Sequence, residues 1–240
     1  MTVTMNRNIK PPIITGDSKK IIEIADNSTL EHLINKNRSI NHVTGQKRYI
    51  ITGGPGAGKT SIINRLAQSD YLCMPEAATE VINHGIEGGN QHPWKDEDYH
   101  IKMYQLIIKR QIEAQNSPAP IVFFDRGHLD GISYILLQKR KLFKYVLDCV
   151  QASFDCNFFQ RYVFFIENLE FVVPGPARTE SIYESLQKSE CLKHNYRALG
   201  YELIHIPPGS VDIRSQHIIN YIEQVSSQEQ STNHTINKIE

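Results

Sequence analysis

The chain has 240 residues, of which 40% are hydrophobic and 22% charged, enough for one large α/β domain or two small ones. Its 26 basic and 26 acidic residues cancel, so the overall charge gives no reason to expect binding to nucleic acid. None of its four cysteines forms a CxxC pair or stands at zinc-finger spacing from histidine. No apolar run follows the first residue or reaches membrane-spanning length, so we expect a cytoplasmic protein.

Three segments differ in composition. Residues 1–46 contain Pro11-Pro12 and short apolar bursts, and form an N-terminal extension that is either packed on the core or partly disordered. A short helix is predicted near residues 28–34 within it. Residues 47–225 form the main domain, and residues 226–240 form a polar tail that is expected to fray.

The main domain alternates between apolar strands and amphipathic helices. Strands are predicted at residues 48–52, 71–74, 120–125, 162–166 and 202–206, and helices after the first strand and at residues 96–115, 134–150, 181–199 and 212–225. Strands that are almost continuously apolar are typical of a parallel sheet covered on both faces. The sequence therefore predicts a doubly wound α/β domain with five parallel strands.

A complete GxxxxGK[ST] motif follows the first strand and predicts a phosphate-binding loop (P-loop). Its glycines allow backbone N–H groups to point at phosphate oxygens, and the positive end of the following helix adds to this site. The lysine would reach the β- and γ-phosphates of ATP or GTP, and the threonine hydroxyl would bind Mg²⁺. The predicted nucleotide-binding residues of this loop are Gly53, Gly54, Pro55, Gly56, Ala57, Gly58, Lys59, Thr60 and Ser61.

Two acidic residues and one arginine lie at the ligand edge of the predicted sheet. Asp125 ends an apolar strand, where it is either a second Mg²⁺ ligand or the cap of the next helix. Arg126 follows it and either binds substrate or phosphate or is a surface residue. Glu76 ends the short second strand, where it is either a general base or a carboxylate that favours a helix N-terminus.

Two later loops are candidates for the same site. Arg178 follows the fourth strand, where it either closes over the transferring phosphoryl group as part of a lid or pairs with Glu180 on the surface. Pro207 follows the last strand, in a loop that either lines the nucleotide base or is a plain turn. A small basic cluster, which is either a solvated face or a contact for an anionic lipid or phosphate, consists of Lys139, Arg140, Lys141 and Lys144.

The motifs together resemble the AAA_28 group of P-loop ATPase domains. The resemblance covers residues 47 to 223 and rests on Gly53–Thr60, Pro75-Glu76-Ala77-Ala78, Asp125-Arg126-Gly127, Arg178-Thr179-Glu180 and Gly200-Tyr201-Glu202. That group is similar to the ribosylnicotinamide-kinase domain of NadR proteins and to deoxynucleoside kinases, and it includes a GTP- and phosphoinositide-binding trafficking factor, the TRPL translocation defect protein. The resemblance implies a kinase-like sandwich with strand order 2-3-1-4-5.

By this resemblance, Glu76 lies where deoxynucleoside kinases carry their catalytic glutamate, and Asp125-Arg126 where they carry an acidic residue before an arginine. Those kinases usually have glutamate there, so the role of Asp125 as metal ligand, base or both stays open. Gln105 is one candidate for a residue that recognises the base of the acceptor. The leading hypothesis is phosphoryl transfer from ATP or GTP to a small nucleoside-like hydroxyl acceptor. The alternative is a nucleotide-dependent regulatory module that binds a protein partner or a phosphoinositide lipid.

Overall fold

The computed structural model describes residues 8–12, 21–24, 31, 33, 45–168 and 182–236. Within these residues the chain forms seven strands and seven α-helices. In chain order they are β1 (Ile21–Ile24), β2 (Lys47–Thr52), α1 (Lys59–Ala67), β3 (Leu72–Met74), α2 (Ala77–Glu87), α3 (Tyr99–Asn116), β4 (Ile121–Asp125), α4 (His128–Leu137), β5 (Lys141–Phe143), α5 (Lys144–Asp155), β6 (Tyr162–Ile166), α6 (Ile182–Ala198), β7 (Glu202–Ile206) and α7 (Val211–Ile236). A short 3₁₀ helix, Pro93–Lys95, lies between α2 and α3.

Five strands form the central sheet, in the order β3-β4-β2-β6-β7. All four pairs of neighbours are parallel. Counted along the chain, these strands follow the order 2-3-1-4-5, so the predicted topology is confirmed. The order places the ends of β2 and β4 side by side, and both carry predicted site residues.

Alternation along the strands explains why both faces of the sheet are covered. Tyr49 and Ile51 of β2 point to one face, where they join a core completed by α1 and the Ile218 and Ile222 side chains of α7. Ile50 points to the other face, in a larger core built with helices α2 to α6. Since successive residues are buried on opposite sides, the inner strands β4 and β6 are almost continuously apolar, whereas Glu202 and His205 of the edge strand β7 are exposed.

Residues 134–150, predicted to be mostly helical, contain parts of two helices and, between them, a strand that was not predicted. Helix α4 ends at Leu137, Lys139 has a left-handed φ of 49°, and β5 then pairs antiparallel with β1. Leu142 and Phe143 of β5 are buried, so their apolar character comes from a strand that covers the core. A helical period and a strand of three residues give similar apolar patterns at this length.

The described parts of residues 1–46 pack on the domain. The backbone N–H of Ile9 donates to Gln115 Oε1 at 2.8 Å, and Ile9 and Leu33 are buried. Glu31 and Leu33 are helical, whereas the rest of the helix predicted near residues 28–34 lies outside the described residues. Strand β1, in the same extension, pairs with β5.

The last helix is longer than predicted. Helix α7 continues to Ile236, beyond Val225, where the polar tail was expected to begin. Ser, Gln, Glu and Thr cost only a few tenths of a kcal/mol each in a helix, about 0.7 kcal/mol at most, so a helix nucleated by packing extends through them. No helix among the described residues is both long enough and apolar enough to cross a membrane.

Candidate active site

The P-loop connects β2 to α1 and has the backbone geometry that its glycines permit. Gly53, Gly56 and Gly58 have φ angles of 146°, 77° and 88°, in a region that other residues rarely adopt. A Cβ on Gly53 would lie 2.4 Å from the carbonyl oxygen of Ile166 on the neighbouring strand. Helix α1 begins at Lys59 directly after Gly58, so its positive end faces the loop.

Lys59 folds back over the P-loop. Its side chain is buried, and Nζ donates to the carbonyl oxygens of Gly53 at 3.0 Å and Gly54 at 2.8 Å. Burial and the nearby positive charge of Arg126 lower the pKa of Lys59 to about 7, although nearby carboxylates act in the opposite direction. A phosphate group placed in the loop would stabilise the charged ammonium and raise this pKa.

Thr60 and Asp125 meet at the end of the P-loop, as the metal prediction requires. Thr60 Oγ1 donates to Asp125 Oδ2 at 3.1 Å. Asp125 is 4% exposed, and its other carboxylate oxygen, Oδ1, is buried without a hydrogen-bond partner in the described structure. Burial, followed by the charge of Glu76, raises the pKa of Asp125 despite the opposing effect of Arg126.

An unpartnered carboxylate oxygen beside a threonine hydroxyl is a suitable donor set for Mg²⁺. This ion usually keeps several waters and takes one or two protein oxygens together with substrate phosphates. The described residues contain no group of three or more His, Cys, Asp or Glu side chains that would hold a metal by themselves. Thr60 and Asp125 therefore fit a magnesium ion that arrives with a nucleotide.

Glu76 and Arg126 form an ion pair in the same region. Arg126 Nε donates to Glu76 Oε1, and Thr79 Oγ1 donates to Glu76 Oε2 at 2.7 Å. Burial raises the pKa of Glu76, but the charge of Arg126 and the bond from Thr79 outweigh this, so the pKa lies below its ordinary value. Burial lowers the pKa of Arg126, but the Tyr134 hydroxyl and the nearby carboxylates outweigh this and hold the pKa well above its ordinary range. Both groups are therefore charged at neutral pH.

Asp130 holds this arrangement together, and the sequence analysis missed it. Its Oδ1 accepts from Thr52 Oγ1 at 2.6 Å and from Arg126 Nη1 at 3.2 Å. Its Oδ2 accepts from Tyr196 Oη at 2.6 Å and from the Gly127 N–H at 2.9 Å. The available signal was its position in the first turn of α4, three residues after Gly127, where a carboxylate commonly binds free N–H groups.

A cleft opens beside Asp125 and Arg126. Its empty space is about 430 Å³, including the part open to solvent. Its walls are largely apolar, whereas its polar groups gather where Glu76 and Arg126 meet. The lining residues are Pro75, Glu76, Ala77, Ala78, Met103, Ile107, Arg110, Phe124, Asp125, Arg126, Gly127, His128, Asp130, Gly131 and Phe159. Gln105, considered above as a reader of the acceptor, is exposed and does not line this cleft.

Of the remaining predicted residues, the structure describes Ser61, next to the P-loop, and Pro207, and neither lines the cleft. Helix α6 packs on the loop, because Ser185 Oγ donates to the carbonyl oxygen of Pro55 at 3.0 Å. Ser61 is exposed on α1, and Pro207 is exposed on the loop after β7. Arg178, the predicted lid residue, lies outside the described residues.

Arg214 of α7 is a second residue that the sequence analysis missed. Its guanidinium donates to the carbonyl oxygen of Ala57 at 2.8 Å and to that of Glu167 at 2.9 Å. It thus joins α7 to the P-loop and to the end of β6. Nothing in the local sequence distinguishes it from other helical arginines, because the contact depends on the packing of α7 against α1.

Three solved structures with a similar fold are distant from this chain in sequence. A NadR protein in complex with NAD and AMP-PNP is 17% identical with a TM-score of 0.52, and the match covers 75% of this chain and 49% of the NadR chain. Thymidylate kinase from Candida albicans is 13% identical with a TM-score of 0.49, over 76% of this chain and 93% of that one. Deoxyadenosine kinase from M. mycoides is 14% identical with a TM-score of 0.42, over 74% and 99%. The NadR likeness supports the kinase-like P-loop fold.

A search of curated proteins found no match to this chain. The sequence profile of AAA_28, described as an AAA domain, matches residues 48–214. This match spans the P-loop, Glu76, Asp125-Arg126 and Arg214, and it covers most of the chain. The chain therefore belongs to the AAA_28 family of P-loop domains.

Proposed function

We propose that this protein is a Mg²⁺-dependent phosphotransferase that moves the γ-phosphoryl group of ATP or GTP to a hydroxyl of a small, nucleoside-like acceptor. The observation that carries the proposal is the position of Asp125, which contacts Thr60 at the P-loop and also lines the cleft. A nucleotide in the P-loop and an acceptor in the cleft would therefore meet at one carboxylate. Proximity of this kind is the main requirement of phosphoryl transfer.

The donor half of the reaction would use the P-loop. Its backbone N–H groups and Lys59 would bind the triphosphate, and Thr60 and Asp125 would hold the magnesium ion. When bound, the ion would neutralise charge on the phosphate oxygens. Lys59 lies close to Gly53 and Gly54, where it is already placed to turn from their carbonyl oxygens to phosphate oxygens.

The acceptor half would use Glu76 and Arg126. Glu76 is a carboxylate at neutral pH, so it can accept the hydrogen bond, and finally the proton, of an attacking hydroxyl. The transition state of phosphoryl transfer is loose, so orientation of the hydroxyl matters more than the strength of the base. Arg126 keeps its positive charge and can stabilise the phosphoryl group during transfer.

The overall reaction balances without a further reactant. The acceptor oxygen forms a bond to the γ-phosphorus, the bond to the β-phosphate oxygen breaks, and the hydroxyl proton leaves through Glu76. The products are a phosphorylated acceptor and a nucleoside diphosphate in equal amounts. Comparable kinases turn over at about 1–100 s⁻¹.

The test is a turnover assay with Mg²⁺, ATP or GTP, and a panel of nucleosides and ribosylated pyridines. One acceptor should become phosphorylated as diphosphate is released, and Lys59→Ala should remove this activity. Glu76→Gln should lower kcat by about 10²-fold or more, the contribution of a general base. Glu80→Gln is the matched control, because Glu80 also pairs with an arginine, Arg110, but does not line the cleft. A fully active Lys59→Ala variant would exclude the mechanism.

The alternative, a nucleotide-dependent module that binds a protein partner or a phosphoinositide, remains a second proposal. Its sequence support was the basic cluster at residues 139–141 and Lys144. Lys141 lies 3.5 Å from Glu97, and Lys144 lies 2.6 Å from Asp148, so two of its cations already have acidic partners. Tight nucleotide binding with no phosphorylated product would favour this alternative, and vesicles with and without phosphoinositide would then test it.

A further inference from the structure

Arg214 is a buried arginine that reaches from α7 to the P-loop. Its side chain is 3% exposed, although its neighbours Asp212 and Ile213 lie on the surface. Nη1 donates to the carbonyl oxygen of Ala57 at 2.8 Å, and Nη2 donates to that of Glu167 at 2.9 Å. Both acceptors are uncharged, so these bonds satisfy two donors without neutralising the guanidinium.

The positive charge of Arg214 has no counterion among the described residues. The nearby carboxylate of Glu167 is instead held by His205 at 2.5 Å and Lys193 at 3.3 Å. That of Asp212 is held by Arg65 at 2.6 Å. The Nε of Arg214 is also buried without a hydrogen-bond partner. A buried charge without a counterion is costly, and arginine does not lose its proton to avoid that cost.

The uncompensated charge lies against the part of the P-loop that surrounds phosphates. A Cβ on Gly58 would lie 3.2 Å from Nη1, so the guanidinium is in contact with the residue before Lys59. A nucleoside triphosphate would bring several negative charges to this loop. Because the surroundings are buried, a charge at this distance is screened much less than in water.

The bond to Ala57 also fixes the direction of a peptide group. In a trans peptide the C=O and the following N–H point in opposite directions. With the Ala57 carbonyl oxygen held by Arg214, the Gly58 N–H points away from the guanidinium. Gly58 belongs to the set of residues whose N–H groups bind phosphate in a P-loop, so the direction of this peptide affects the anion site.

We infer that Arg214 is a nucleotide-positioning residue: it orients the Ala57–Gly58 peptide and supplies a fixed positive charge that the phosphates of a bound nucleotide balance. The inference rests on the proposed nucleotide binding and does not depend on the identity of the acceptor. It assigns to α7, outside the P-loop and the cleft, a part in holding the nucleotide.

The test compares nucleotide affinity in variants of the whole chain. Calorimetric titrations with AMP, ADP and ATP, with Mg²⁺ and at two salt concentrations, would be made on Arg214→Gln and Arg214→Lys. Arg65→Gln is the matched control, because Arg65 also joins α1 to α7 and its replacement also removes one positive charge. The bond from Arg65 to Asp212, however, is exposed. Arg214→Gln should weaken ATP binding at least about tenfold, with a smaller loss for ADP and the smallest for AMP. Arg214→Lys should retain part of the affinity, and the control should stay within about twofold.

Other results would overturn the inference. If Arg214→Gln lowers the melting temperature while the folded protein binds ATP as tightly as the wild type, the residue only packs α7. Equal losses for AMP, ADP and ATP would show that it does not act on the β- and γ-phosphates. Should Arg214→Gln fail to fold, unchanged ATP affinity in Arg214→Lys, which keeps the charge but loses the paired bonds to Ala57 and Glu167, would refute the positioning role. Failure of the wild type to bind any nucleotide would instead refute the proposed function itself.

Discussion

Asp130 is expected to stabilise the fold more than any exposed carboxylate does, because it accepts four hydrogen bonds while buried. Replacing it with asparagine keeps the shape but removes the charge and turns one oxygen into a donor. If the remaining oxygen still accepts from Tyr196 and the Gly127 N–H, the new amide NH₂ faces Thr52 and Arg126. The threonine hydroxyl can accept a hydrogen bond, but the guanidinium cannot.

The expected loss of stability follows from the ion pair between Arg126 and Asp130, which the substitution removes. Breaking a buried ion pair costs about 3–5 kcal/mol when the remaining charge has no partner. Arg126 keeps its pair with Glu76, so we expect Asp130→Asn to lower the free energy of unfolding by about 2–4 kcal/mol. Denaturant unfolding followed by circular dichroism measures this value directly. Asp148→Asn is the control, because the exposed Asp148–Lys144 pair should contribute only about 0.3–0.5 kcal/mol.

A double-mutant cycle with Tyr196→Phe measures the coupling free energy between Tyr196 and Asp130. The hydroxyl of Tyr196 bonds to Asp130, so the two substitutions should be non-additive, with a coupling of at least about 0.5 kcal/mol. A loss below about 1 kcal/mol for Asp130→Asn, together with additive effects in the cycle, would refute the view that this carboxylate organises Arg126.

Two further predictions concern titrating groups at the P-loop. Burial lowers the pKa of Lys59 to about 7, from the ordinary lysine value of 10.5. Between about pH 7 and 10.5, Lys59 is therefore protonated in the unfolded chain and neutral in the folded one. Because the unfolded state binds more protons, the free energy of unfolding should rise with pH in this interval. ATP binding near pH 8 should take up a proton, seen as a dependence of calorimetric heat on the buffer, and Lys59→Met should abolish this; no buffer dependence in the wild type would contradict the assignment. Because burial raises the pKa of Asp125, its ionisation destabilises the folded state above that pKa, so Asp125→Asn should raise the melting temperature of the ligand-free protein. The same substitution should remove the Mg²⁺-dependent stabilisation by ATP. A less stable Asp125→Asn protein would contradict this and would show that the charged carboxylate, through its bond from Thr60, stabilises the ligand-free fold.

The donor half of the site was predictable because each of its residues follows a local rule. The glycines of the P-loop, Lys59 and Thr60 lie in one continuous motif. Asp125 follows a buried strand, and the carboxyl ends of neighbouring parallel strands meet at one edge. The strand order was implied by the resemblance to the AAA_28 group, and the structure confirms that the Asp125 strand lies next to the P-loop strand.

The residues that the sequence did not predict act across long separations. Asp130 bonds to Tyr196, which is 66 residues away, and Arg214 bonds to Ala57, which is 157 residues away. Neither bond leaves a periodic pattern in the sequence, because each depends on which elements the fold brings together. Strand β5 was missed for a similar reason: its three residues are a strand because β1 pairs with them.

The contacts of Glu76 decide how an acceptor would reach it. One oxygen of its carboxylate accepts from Arg126 and the other from Thr79. An ionised carboxylate has about four lone-pair positions, so these two bonds fix its orientation and leave positions for an incoming hydroxyl. The same bonds lower the pKa of Glu76 and make it a weaker base, which a loose transition state tolerates because the proton leaves late. The ion pair with Arg126 is therefore compatible with the proposed role of Glu76, because it fixes the orientation of both side chains.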